Sequence, residues 1–344
     1  MSNKQYPKSL SEKSLQKKYV ELNLADEKIY FLKQFILACT NLYGCISIRD
    51  IWEVYKKLAG ITSVPKIKRT DIIRISEILR REELPYFVYE VDELYFEESR
   101  ESLDREFVSR YLIGRGQGKF RWYYYVAEAQ SCHDYYVPDN LLSFAQMPIT
   151  EQEQRLLEFI GKLKVTAGEF KSRYGRILKC PDRMGETLDA FSFMNDMEKF
   201  EYQYAKGEIQ GTKGNPKEAQ HLLDENNSRT EAEKIVDQIK WYGNIGHVSP
   251  IDIIQYTLEE LGEVGVELTE QQLKKLTQEI MNLHNYSHLM CIGGWRPADL
   301  AKQTGMPNAV SFGPGIRKAI AEGALNKEEL VKAIKDMGLE YLEY

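Results

Sequence analysis

What this sequence lacks narrows the choices first. Its five cysteines, Cys39, Cys45, Cys132, Cys180 and Cys291, are scattered, and no CxxC pair occurs. An odd, dispersed set argues against a disulfide framework and fits reduced thiols in a cytoplasm. No apolar run approaches the ~18 residues of a membrane span, and the polar N-terminus does not read as a secretory signal. There is no GxSxG elbow, no HExxH pair and no Walker loop, so no catalytic residue and no cofactor is expected. Basic charge is also in deficit, with 46 Lys+Arg against 52 Asp+Glu. That balance speaks against a dedicated nucleic-acid coat while leaving room for a local basic site.

What is present is ordinary globular material of 344 residues, with 43% hydrophobic and 28% charged residues, enough chain for two or three domains. Twenty-two tyrosines against four tryptophans suit half-exposed positions, where the ring packs and the hydroxyl stays wet. Charge is uneven: residues 1–84 carry 16 Lys+Arg and 10 Asp+Glu, while the remainder is strongly acidic. Lys4, Lys8, Lys13, Lys17 and Lys18 supply part of that excess, and residues 1–24 read as a solvated polar leader.

Periodicity predicts a helix over 27–44 ending at Gly44, a second capped by Ser47 and ending at Gly60, and a third opening at Thr70 and stopped by Pro85. Phe87–Val88 and Leu94–Phe96 around a polar turn read as a β-hairpin. Three helices then a hairpin is the order of a winged-helix domain, assigned to 25–100. A β-containing connecting region is expected over 101–148, with a helix at 101–113 and a strand in Phe120–Val126. Residues 149–344 read as a helical domain with a loop near 207–217. Capping boxes stand at Thr150/Glu153 and Asn326/Glu329, Ser249–Pro250 opens another helix, and a long helix runs from Thr269 to about Met290. The expected class is mainly α with small β elements (α+β).

Three features invite a functional reading. Gly114-Arg115-Gly116-Gln117-Gly118-Lys119 has the wrong spacing for a nucleotide loop and is expected to precede a strand, which would leave no helix N-terminus to focus amides on an anion. His284, His288 and Cys291 share one face if the helix continues through them, a partial zinc set without an evident fourth ligand. Lys66, Lys68, Arg69, Arg74, Arg80 and Arg81 give the third helix of the N-terminal domain a basic stretch suited to DNA. The expected wing opposes that reading, because Glu90, Asp92, Glu93, Glu97 and Glu98 would repel phosphates.

The segments Leu283–His288 and Gly293-Gly294-Trp295-Arg296-Pro297-Ala298-Asp299-Leu300 resemble a pattern found in a family of uncharacterised Firmicutes proteins. Asp92–Tyr95, Tyr135-Tyr136-Val137-Pro138-Asp139 and Ser311–Pro314 match it too. Some members carry a cysteine-rich SEC-C zinc motif, absent from this sequence. His288 and Arg296 depart from the family's Arg and Thr. The resemblance implies a bacterial protein and no activity. On the residues alone, Gly293-Gly294 gives a sharp turn into a short helix opened by Pro297.

The expected function is therefore a non-enzymatic interaction or regulatory protein in a bacterial cytoplasm, with another protein as partner and no membrane association. The alternatives are a DNA-binding regulator acting through residues 68–84, and a metal-dependent enzyme centred on His284, His288 and Cys291.

Overall fold

The computed structural model describes residues 6–95, 101–114, 118–167, 169–171, 177–179, 183–192, 196–209, 214–304, 309–310, 320–321, 326–336 and 340–341. The protein is mainly helical with small β elements, and its chain divides into two compact units. The first comprises residues 1–148 together with Asn244–His247 and His288–Leu300; the second comprises the rest. Among the described residues no helix is long and apolar enough to cross a membrane, and Cys39, Cys45, Cys132 and Cys291 are free thiols.

The first unit opens with α1 (Glu12–Glu21) and α2 (Asp26–Tyr43). The leader is thus partly helical rather than a solvated tail, and Leu15 and Tyr19 of α1 pack against the core. In α2, Phe31, Leu32, Phe35, Ile36, Cys39, Leu42 and Tyr43 recur every three or four residues and are buried, forming the apolar stripe that the spacing requires. Asp26 and Glu27 lie in its first turn, where the helix dipole favours carboxylates. Gly44 ends it at φ +74°, and β1 (Cys45–Ser47) follows at once. Ser47 then caps α3 (Ile48–Ile61), its Oγ accepting from Asp50 N at 3.0 Å. In α4 (Arg69–Leu79) the Asp71 carboxylate accepts from Lys68 N at 2.8 Å.

Beyond β2 (Tyr86–Tyr89) the structure departs from the expected hairpin. Residues Val91–Leu94 form a single helical turn, α5, and the return strand is β3 (Glu106–Ser109), within the segment expected to be helical. The three antiparallel strands are ordered β1-β3-β2, with Ile46, Phe107 and Val88 in register. Those three face the α2–α4 core. Alternation sends Cys45, Val108 and Phe87, then Ser47, Glu106 and Tyr89, to the opposite face. That face is covered by α6 (Arg121–Gln130), a helix where a strand was expected. Tyr123 and Val126 at its centre are fully buried, and Phe120 meets Tyr89 edge-on at 5.2 Å. The tyrosines of the Arg121–Val126 run have high strand propensity, but burial of Tyr123, Val126 and Gln130 at helical spacing prevails.

Distant segments complete this unit. Asn41 Nδ2 donates to Phe144 O at 2.9 Å, Tyr43 Oη to Tyr136 O at 2.7 Å, and Gln130 Nε2 to Met290 O at 2.7 Å. Gly293 and Gly294 take φ +64° and +78°. A Cβ on Gly294 would stand 2.8 Å from the Tyr43 ring and 2.9 Å from Leu42, so only glycine fits.

The second unit begins with α7 (Glu151–Gly161) and a hairpin of β4 (Glu169–Lys171) and β5 (Ile177–Lys179). Helices α8 (Asp196–Lys206), α9 (Pro216–Asn227), α10 (Glu231–Ile245), α11 (Pro250–Glu263) and α12 (Glu270–Tyr286) follow. Then come α13 (Pro297–Thr304), whose first half to Leu300 is counted with the first unit, β6 (Ala309–Val310), α14 (Lys327–Asp336) and β7 (Glu340–Tyr341), with β6 and β7 paired in parallel. Leu156 and Ile160 of α7, Ile235, Val236 and Ile239 of α10, Leu261 of α11 and Leu276 and Ile280 of α12 make its core. Thr150, Ser249 and Thr269 each accept from the backbone N–H three residues on. The expected loop near 207–217 separates α8 from α9 and includes residues outside the described set.

Candidate functional site

Helix α4 carries the basic stretch singled out in the sequence. Its apolar side, Ile72, Ile75, Ile78 and Leu79, is buried. The other side holds Arg69, Thr70, Arg74 and Glu77, all exposed at helical spacing, and Arg81 is exposed in the turn just past the helix. The six candidate cations do not act together. Lys66, Lys68 and Arg69 are exposed around the helix start. Arg74 Nη2 donates to Leu22 O at 2.7 Å, and Arg81 Nε donates to Lys8 O at 3.4 Å. Arg80 makes a forked pair with Glu93, both bonds 2.6 Å, with side-chain exposures of only 16% and 6%, and it also donates to Val88 O.

The acidic residues expected to repel phosphate are partly engaged inside the unit. Glu93 is taken by Arg80, and Glu90 by Arg105 at 2.7 Å. Glu97 and Glu98 lie outside the described residues. The acidity of this segment therefore balances buried guanidinium groups as much as it charges a surface.

The histidine–cysteine set does not share one helix face, because α12 stops at Tyr286 and Ser287 is extended. His284 sits in the last turn of α12, and burial pushes its imidazole down to about 4. Beyond the helix, His288 Nδ1 donates to Gly294 O at 2.7 Å, and its ring stacks on Tyr136 at 5.4 Å. Cys291 is buried in the turn Met290–Ile292, and burial pushes its thiol up to about 11. Zinc binds thiolate, which this surrounding disfavours. Among the described residues no group of three or more His, Cys, Asp or Glu is placed to hold a metal ion.

The glycine loop also differs from expectation, since α6 follows it. Gly114 N donates to Lys119 O at 2.8 Å and Gly118 takes φ +85°, closing the turn into the helix. Residues 115–117 lie outside the described set. Lys119 Nζ sits 4.4 Å from the Phe120 ring centre, a cation–π contact.

Sequence reasoning missed one cluster. Glu106, on the sheet face beneath α6, accepts from Tyr123 Oη at 2.7 Å and from Tyr95 Oη at 3.4 Å, and the two tyrosine hydroxyls also bond each other. Burial raises its carboxyl to about 7, the two hydroxyls pull the other way, and the Asp50 and Asp104 carboxylates add to the rise. Cys45 Sγ donates to Gln130 Oε1 nearby, and Gln130 Nε2 donates to Tyr43 O. Within the cluster Tyr123 is wholly buried, and Tyr95, 40% exposed, forms its open side. A glutamate beside Phe107 and Val108 was the only available signal, and it meant nothing until β3 was known to be a strand.

Two segments singled out in the sequence, around Tyr135–Asp139 and Gly293–Leu300, meet in the first unit. Tyr136 N donates to Gly293 O at 2.9 Å, Trp295 Nε1 to Asp134 O at 2.7 Å, and the Tyr136 and Trp295 rings lie 4.7 Å apart. Packing accounts for these residues without a ligand. No protein-family model, curated protein or solved structure matches this chain.

Proposed function

We propose that this is a non-enzymatic interaction or regulatory protein of a bacterial cytoplasm, with residues 26–109 forming a winged-helix-like domain. The element order α2-β1-α3-α4-β2-α5-β3, with the single turn α5 between the last two strands, and the strand order β1-β3-β2 support the domain reading. The observation that carries the functional reading is the state of α4. Arg74, Arg80 and Arg81 are spent on Leu22, Glu93 and Lys8, and Glu77 stands amid the exposed side. Such a mixed face suits a protein partner better than a phosphate backbone. A broad screen of nucleotide, ester and phosphodiester substrates with the purified protein is expected to show no turnover; reproducible turnover overturns the reading.

The second reading is a DNA-binding regulator. It is favoured by the exposure of Lys66, Lys68 and Arg69, and by the internal pairing of Glu90 and Glu93. Fluorescence anisotropy with a labelled duplex at low ionic strength decides it, because non-specific electrostatic binding appears there first.

A further inference from the structure

In the second unit, helix α11 ends in a glycine turn that doubles as the wall of a cavity. Gly265, at φ +79°, donates to Gly262 O at 2.9 Å, and Val266 N donates to Leu261 O at 2.9 Å, the pair of bonds that closes a Schellman motif. The Gly265 carbonyl accepts from Thr166 N at 2.7 Å and Ala167 N at 2.9 Å, and Thr166 Oγ1 accepts from Glu267 N at 3.0 Å. These bonds hold the residues ahead of β4 against the α11–α12 connection. Beside them stands a partly open cavity of about 290 Å³, its apolar lining led by Leu258, Leu261, Val266, Leu268 and Leu273.

The wall says what the cavity suits. Its backbone is already spent, since the amides of Gly265, Val266 and Glu267 and the carbonyl of Gly265 are bonded within the fold. A nucleotide or sugar needs convergent polar groups, and this wall has few to give. The volume matches one large side chain and lies below most small-molecule pockets. Leu273 also belongs to the α12 stripe that continues through Leu276, Ile280 and Leu283. Those three are buried, yet Leu273 is 37% exposed.

The mouth is acidic. Residues 258–273, which form most of the wall, carry five glutamates and no Lys or Arg. Glu169 and Glu267 line the cavity and are exposed. Glu169 stands opposite Lys179 in the β4–β5 ladder, whereas Glu267 makes no ion pair among the described residues. Lys274 and Lys275 of α12 are engaged elsewhere, with Glu270 at 2.7 Å and over the Phe159 ring.

We propose that this cavity docks a basic segment of a partner protein, with one large apolar side chain entering it and a Lys or Arg beside that anchor meeting Glu267. The proposal rests on the interaction reading above and gives it a site and a partner chemistry. An apolar anchor in a pocket supplies most of the affinity of such a contact, and charges at the rim choose the partner and steer its approach.

The test uses the full chain with labelled leucine and valine methyl groups, and as probe a fluorescent heptapeptide with a central tryptophan between lysines. The methyl resonances of Leu258, Leu261, Val266, Leu268 and Leu273 should shift saturably as the peptide is added. A glycine-centred peptide should bind about tenfold more weakly, and so should the tryptophan peptide to Leu273→Gln. Glu267→Gln should weaken binding about threefold and flatten its salt dependence. No shift of these methyls, or equal binding of the glycine-centred peptide, overturns the proposal. Tryptophan amide binding as tightly as the peptide also overturns it, making the cavity a small-amine site. Both substituted positions are exposed, and the peptide comparison on unsubstituted protein decides the matter should either variant unfold. If the cavity fails while the activity screen shows no turnover, the interaction reading stands with its partner site elsewhere; turnover in that screen overturns the interaction reading itself.

Discussion

Two half-buried side chains, one in each unit, have their pKa values shifted in opposite directions. The first unit contains an acid, Glu106, raised to about 7; the second contains a base, His284, lowered to about 4. Burial causes both shifts, because it penalises whichever form is charged. Glu106 holds its proton more tightly folded than unfolded. Its contribution is therefore fully present below pH 4.5 and is lost as pH rises toward 7. His284 binds its proton less tightly when folded. Its contribution is complete above pH 6.5 and is lost as pH falls toward 4. One physical cause, burial, therefore gives these two side chains opposite pH responses.

The comparison extends to how each unit is held. The first relies on segments far apart in sequence, and the second on locally capped helices. Gly294→Val should have the largest effect, costing about 4 kcal/mol from positive-φ strain and overpacking against Tyr43 and Leu42. Urea unfolding followed by near-ultraviolet circular dichroism checks this; an unchanged midpoint would remove Gly294 from the account of the first unit. Glu93→Ala leaves the Arg80 guanidinium largely buried without its partner and should cost about 3 kcal/mol.

Glu106→Gln should stabilise the first unit by about 2–3 kcal/mol at pH 8 and have little effect near pH 4.5, flattening its pH dependence. His284→Gln should flatten the acid limb of the second unit by a similar amount between pH 6.5 and 4. Denaturation midpoints across pH 4 to 8 test both, and parallel curves for wild type and variant would refute the assignment. The smallest change is Thr269→Ala, which removes the hydroxyl accepting from Gln272 N and should cost about 1 kcal/mol, read by thermal unfolding.

Local signals were the most legible part of the fold. Ser47, Thr150, Ser249 and Thr269 cap helices because a side-chain oxygen reaches a nearby N–H, an interaction contained within four residues. The strands were misread because their partners are remote. Glu106–Ser109 is a strand only through pairing with residues 45–47 and 86–89, and Arg121–Gln130 is a helix only because that sheet offers it a surface. The candidate site divides in the same way. The cations of α4 were visible in the sequence, but their engagement by Leu22, Lys8 and Glu93 was not, since each partner is separated from them along the chain. The His284–Cys291 spacing misled because it assumed a helix that ends at Tyr286.

The return of residues 288–300 to the first unit also has a consequence for biosynthesis. Gln130, Tyr43 and Tyr136 meet Met290, Gly294 and Gly293, residues made about 140 positions after Pro148, where the main part of that unit ends. At ordinary translation rates the ribosome needs roughly 10–30 s to cover that stretch. During this interval the Tyr43 surface lacks its closing turn, and the nascent first unit waits for a segment encoded beyond most of the second.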